Sequence, residues 1–406
     1  ARCLELAGDH AASSFGNDEA IRNYQRALDQ LMRGDTPQVE KVAGVWFKLG
    51  QLFLRLRLYA EGRHALQQAG RLFPTASSAR AADAYRLLSW LEVADRNRPA
   101  AVEALRTAEE LLDGADDKEA GEWVRTWIDV QLMLGFYHFY GDPEVLGSLL
   151  ARAGPVIETK GTPKQKADFY TQLGYQCAAA KRFLVDEQVI GFFRQAWQIV
   201  EEAGLAGEIE TAFVRAGVGY FLLIQGDVDA ALPELEALHS LSHRAGDESW
   251  LASCLPVFAW SRLRQGDVVG AREFAEQFVN ADFAVPFPFP EMARAVMAWV
   301  AWKEGRSGEV ESLAREVLTY KPDGEPLFPF GWICLWPLIG VLLAEGRMED
   351  AVSAARQLLQ PPQMRLAPEL EEALAGALSA WECGEVAVAA EKLQAAILLA
   401  ERLHYA

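Results

Sequence analysis

The chain has few cysteines, no excess of positive charge and no long apolar run, and each shortfall closes off a class of protein. Its five cysteines, Cys3, Cys177, Cys254, Cys334 and Cys383, are scattered over 406 residues and never stand in a C-x-x-C spacing. That pattern argues against a disulfide framework or structural zinc and fits buried free thiols in a reducing, cytoplasmic compartment. Lysine and arginine number 39 against 57 acidic residues, a formal net charge of -18. A field of that sign repels phosphate backbones and anionic headgroups, so neither nucleic acid nor a membrane is expected as a direct partner. The most apolar stretch, 332–344, carries Pro337 and Gly340 and stops at Glu345. It is shorter than the roughly 18 residues a membrane helix needs. The start of the chain also lacks the basic, apolar and small-residue succession of a signal peptide.

Catalytic signatures are missing too. No G-x-x-x-x-G-K-[ST] loop is present, and Gly305-Arg306-Ser307-Gly308-Glu309 falls in a helix–helix turn, not after a strand. His239 and His243 stand one helical turn apart and could share a metal, but the glutamate and third ligand of H-E-x-x-H are absent, so no metal is expected. Neither Cys254 nor Cys334 has a local imidazole to activate it. Paired acids such as Glu109-Glu110, Asp116-Asp117, Glu201-Glu202 and Glu371-Glu372 read as solvated helix faces. No cofactor is implied and no enzyme is expected; an enzyme built on helical hairpins is the least favoured alternative.

What the chain does have is a repeat. Hydrophobic residues make up 51% and charged residues 24%, a folded, helix-forming composition. In the second half, Gly226, Gly266, Gly305, Gly346 and Gly384 recur 40, 39, 41 and 38 residues apart, each followed by Asp, Arg or Glu. Glycine there supplies a left-handed cap for one helix, and an acid after it favours the start of the next. In the first half a small residue inside a helix marks the unit instead, at Gly8, Gly50, Ser89, Gly135, Gly174 and Gly217. A mid-helix glycine costs about 1 kcal/mol against alanine, so its recurrence predicts close helix–helix approach. Connections are expected at 113–118, 158–164, 282–290 and 321–330, where proline and glycine exclude helix. The last two set phenylalanines between prolines and are expected to fold back on the array as ordered flaps.

Trp46, Leu49-Gly50, Phe53, Gly62, Leu66, Ala69 and Pro74 together resemble one complete tetratricopeptide repeat. Partial matches follow at Leu4, Ala7-Gly8 and Tyr24, at Tyr85 and Leu88-Ser89, at Tyr170 and Leu173-Gly174, and at Phe213 and Ala216-Gly217. The resemblance implies an all-α fold, a right-handed superhelical solenoid of about ten hairpins. The units are near 40 residues here instead of about 34. Matching is strongest over 1–112, degenerate over 113–245 and drifted over 246–406, all within one continuous solenoid. The longer unit, with Ala7-Gly8-Asp9 and Tyr24-Gln25-Arg26-Ala27-Leu28 at its start, is similar to the C-terminal arrays of MalT-type regulators and of multidomain bacterial adenylate cyclases and related signalling ATPases. Because residue 1 already lies in register with no polar capping helix before it, a domain is expected to precede Ala1.

In that family the first helix of each hairpin lines a concave face. Residue by residue, the resemblance places Phe47, Gln51, Leu54 and Arg55, then Asp83, Arg86, Trp90 and Val93, then Asp168, Thr171 and Tyr175, then Val214, Val218, Phe221 and Leu222 in the groove. Extending the register adds Phe258, Arg262, Met297 and Val300. The later positions are apolar, which has two readings: a pocket for a peptide or small molecule, or a face buried by tight winding or by the flaps. Trp260 and Trp299 are expected in the core. The function expected is a regulatory binding or scaffold module of a larger cytoplasmic signalling ATPase or transcription regulator, taking a protein segment or a small-molecule effector; a freestanding adaptor is the alternative.

Overall fold

The computed structural model describes residues 1–14, 16–33, 38–74, 77–95, 97–115, 118, 121–140, 142–281, 285, 288–319 and 328–405. Among these, regular structure is helical throughout, in twenty α-helices with no strand. They are α1 Arg2–Ser13, α2 Asn17–Met32, α3 Val39–Arg55, α4 Tyr59–Leu72, α5 Ser78–Ala94, α6 Arg98–Asp113, α7 Gly121–Phe136, α8 Pro143–Lys160, α9 Pro163–Ala180 and α10 Glu187–Glu202. There follow α11 Ala212–Gln225, α12 Val228–Ala245, α13 Glu248–Arg264, α14 Val268–Asn280, α15 Phe289–Lys303, α16 Ser307–Thr319, α17 Trp332–Ala344, α18 Met348–Leu359, α19 Pro368–Glu382 and α20 Val386–Arg402. Helices pair as hairpins at α1/α2, α3/α4 and α5/α6, and again from α11/α12 through α19/α20. This is the tetratricopeptide-like architecture that the repeat implies.

The turn glycines do what their spacing predicts. Gly226, Gly266, Gly305, Gly346 and Gly384 all have φ between 73° and 100°. At Gly266 the next amide, Asp267 N–H, donates back to Arg262 O at 2.9 Å, closing the six-residue cap of a left-handed helix end. Asp267 Oδ1 then accepts from Gly270 N–H at 2.9 Å, so one dipeptide ends α13 and starts α14. Asp227 does the same for α12, accepting from Ala230 N–H at 3.0 Å. In the α3–α4 turn Arg57 takes the left-handed conformation (φ 57°) without a glycine, which is why the turn series is invisible there in sequence.

The mid-helix small residues are contact points. A Cβ on Gly50 would stand 2.5 Å from Leu66 Cδ2, and one on Gly8 would stand 2.6 Å from the Tyr24 ring. Gly174 and Gly217 both abut the fully buried ring of Phe193, which is wedged between α9 and α11.

Two expected connections are corrected. Of 158–164, only Gly161-Thr162 is non-helical, because Glu158–Lys160 complete α8 and Pro163 opens α9. Gln165 N–H donates to Thr162 Oγ1 at 3.3 Å and Thr162 N–H to Gln165 Oε1 at 3.0 Å, a reciprocal capping box that makes Pro163 a first-turn residue instead of a breaker. Of 282–290, Phe289 and Pro290 already belong to α15. Residues 116–117, 282–284, 286–287 and 321–327 lie outside the described residues.

Contacts divide the chain into two compact units, 1–137 with 149–165, and 138–148 with 166–406. The core of the first is built from alanines and leucines of α1–α8, such as Leu49, Leu66, Leu91 and Leu105. In the second, α13, α15 and α17 stack in succession, and Trp260, Trp299, Trp332 and Trp336 are buried to within 1%. No helix among the described residues is long and apolar enough to cross a membrane.

Candidate functional site

In the first unit, the expected groove positions lie along α3 and α5. Gln51 and Arg55 are exposed, Phe47 and Leu54 are partly buried, and Phe47 meets the Phe73 ring edge-on at 6.3 Å. On α5, Arg86 Nε donates to Asp83 Oδ1 at 2.8 Å, tying two of the positions together. Trp90 is 41% exposed and packs at 5.8 Å against Phe136 of α7, while Val93 is partly buried. The spacing of Asp83, Arg86, Trp90 and Val93 keeps all four near one face of α5. A large exposed indole thus stands beside a second ring and one helical turn from a guanidinium.

The second unit presents the opposite situation. Tyr175 and Phe221 are buried, with rings 4.8 Å apart; Val214, Thr171 and Val300 are fully enclosed and Asp168 is buried. Phe330, which follows the proline-rich 321–327, is fully buried against Phe183 (5.2 Å), Trp260 (5.5 Å) and Tyr220 (5.9 Å). Arg365 N–H donates to Arg182 O at 2.9 Å and Arg182 Nε to Gln363 O at 3.0 Å, so the α9–α10 turn is bonded to the α18–α19 connection. The second unit therefore closes on itself around this aromatic cluster. Burial pushes the hydroxyls of Tyr140, Tyr175 and Tyr220 well above the ordinary tyrosine range. Arg264 sits 6% exposed among Trp332, Tyr405 and Trp260, and burial lowers its guanidinium to about 10.

The remaining positions of the second unit are partly buried. Phe258 packs on Phe274 and on His239, and Arg262 reaches Gln265 at 3.2 Å and Asp267 at 3.9 Å; Met297 is half-covered. His243 is exposed; Cys177, Cys254 and Cys334 are buried thiols as expected, but Cys3 on α1 and Cys383 at the end of α19 are exposed; and among the described residues no three metal-ligating side chains gather.

Val218 and Leu222 have a different setting. With Gln225 they occupy one face of α11 at i, i+4 and i+7, about half a turn from Tyr220. They floor a cleft of about 420 Å³ between α10 and α12. One wall carries Glu187, Arg194, Trp197, Gln198 and Glu201, the other Asp227, Ala230 and Glu234. Arg215 lies over Trp197 at 4.0 Å and pairs with Glu234 at 2.9 Å. The acids on the walls carried no signal in sequence, because acidic helix faces are common here and only the packing of α10, α11 and α12 gathers them.

No family model and no curated protein matches this sequence. Among solved structures, the chain is similar to NprR in complex with its cognate peptide NprX, at 11% identity over 80% of this chain and 83% of that one, with a TM-score of 0.48. Aspartyl phosphate phosphatase F from Bacillus subtilis aligns at 10% identity over 89% and 94% of the two chains, with a TM-score of 0.45. Yeast Tom70 aligns at 12% identity over 97% and 98%, with a TM-score of 0.41. Likeness at this level carries no argument about ligands or partners, and the chain itself is an all-α array of tetratricopeptide-like hairpins.

Proposed function

We propose that the chain is a non-enzymatic binding module that takes a protein segment on the first-helix face of its first unit, at Gln51, Arg55, Arg86 and Trp90. The observation that carries this reading is the 41% exposure of Trp90 beside Phe136, in a molecule that buries Trp260, Trp299, Trp332 and Trp336 almost completely. A rigid aromatic anchor costs little conformational entropy to dock and is typical of the few residues that dominate an interface. In the second unit Thr171, Tyr175, Val214, Phe221 and Val300 of the same face are enclosed by the protein's own side chains, which favours a protein segment over a small-molecule effector as the ligand. In this reading the module serves a larger cytoplasmic signalling regulator, an inference supported by the sequence resemblance alone.

The test is selection of a random peptide library on the purified chain, followed by affinity measurement with Trp90→Ala and Arg86→Ala. Loss of at least about tenfold in affinity, equivalent to about 1.4 kcal/mol, is expected for Trp90→Ala. Selected peptides that bind the Trp90→Ala chain as tightly as the parent would remove this face from consideration.

A further inference from the structure

The cleft between α10 and α12 has a charge pattern that its own ion pairs leave unbalanced. Glu187 is neutralised by Arg194 at 3.0 Å and Glu234 by Arg215 at 2.9 Å. Glu201 and Asp227 form no ion pair among the described residues, and Asp227 uses only Oδ1, on the α12 amide of Ala230. Two carboxylates that close no ion pair thus overlook the half-buried Val218 and Leu222, Glu201 sharing the field of Arg215 with Glu234. The rim is held in place before any ligand arrives, because Arg215 is stacked on Trp197 while it pairs with Glu234. Pre-set side chains lower the ordering cost of binding.

We propose that this cleft is a second docking site, which takes a protein segment presenting an arginine or lysine next to an apolar side chain. The cation sits between Glu201 and Asp227, and the apolar group covers Val218 and Leu222. Charge complementarity selects this occupant: an acidic segment would meet two unpaired carboxylates in a chain of net charge -18. The site lies within the second unit, between α10 and α12, and its floor is two of the expected groove positions of α11.

The variant Glu201→Lys with Asp227→Asn tests it, since asparagine keeps the cap on the Ala230 amide. Glu110→Lys with Glu122→Gln makes the same charge change at exposed positions of the first unit and controls for the overall field. The probes are nonapeptides from an immobilised array in which Arg–Leu and Lys–Leu pairs are compared with Glu–Leu and Arg–Ser pairs, at an ionic strength of about 0.15 M. The expected result is that Arg–Leu or Lys–Leu peptides bind best, that they lose at least tenfold on the cleft variant, and that the control variant changes them less than twofold. Val218→Ser, which alters no charge, is expected to weaken the same peptides. Equal losses on cleft and control variants, binding by Arg–Ser peptides as tight as by Arg–Leu, or no loss on the cleft variant would each overturn the proposal.

Discussion

Single residues in this chain are chosen for backbone geometry as much as for contact. Gly305 has φ 74°, and a Cβ there would touch nothing within 4 Å. Its cost is therefore conformational alone. Gly305→Ala is expected to destabilise the chain by about 1 kcal/mol, the penalty for a left-handed non-glycine residue, and Gly305→Asn by less. Chemical denaturation with an unchanged slope checks this; an Ala variant as stable as the parent would show that the turn relaxes. Arg57 shows that the rule is one-sided, since it adopts φ 57° without help from glycine. A glycine series therefore identifies some turns and passes over others.

At the scale of elements, the repeat is carried by pairs of helices that touch at a small residue. Phe193 of α10 lies against Gly174 of α9 and Gly217 of α11, with the positions of added Cβ atoms 2.7 Å and 2.8 Å from its ring. Gly217→Ala gains about 1 kcal/mol of helix propensity and loses about 1–3 kcal/mol to overpacking, so a net loss is expected. Because Gly174→Ala strains the same ring, the double variant is expected to depart from the sum of the two single ones. Thermal unfolding of the three variants decides it, and strict additivity would mean that Phe193 does not couple the two helices. The recurrence of Gly174 and Gly217 was legible in sequence, and so was the meaning of the spacing. The partner was not, because it comes from neither glycine's own helix.

At the scale of the whole molecule, the second unit encloses three tyrosines whose hydroxyls burial has raised far above 10. Below that value both the folded and the unfolded chain keep these protons, and stability is undiminished. Above it the unfolded chain releases them first, so stability falls as pH rises past about 10. Tyrosinate absorbance from this cluster is expected to appear together with loss of helical circular dichroism, and Tyr175→Phe is expected to move that step to higher pH. Full titration of all ten tyrosines with the helices intact would show that the cluster is open to solvent.

How far the sequence reaches can be judged from particular residues. Composition, the turn glycines and the mid-helix glycines were sufficient for an all-α array of hairpins, because each depends on local geometry: a left-handed cap, a helix period, a missing Cβ. The capping box at Thr162 and Gln165 was also local and could have been read from the spacing, but Pro163 masked it. Whether apolar groove positions would be open or covered depended on non-local contacts. Trp90 and Tyr175 look alike as aromatic groove candidates, yet one is 41% exposed and the other 7%. The difference comes from the rings of Phe139, Phe193, Phe213 and Phe221, which enclose Tyr175 from segments outside its own helix. The sequence by itself determined the helices, their pairing and the acidic field. Only the tertiary structure decided which aromatic face remains accessible and brought four carboxylates, from α10, α12 and the turn before α12, around one apolar floor, since burial and charge juxtaposition depend on where separate segments meet.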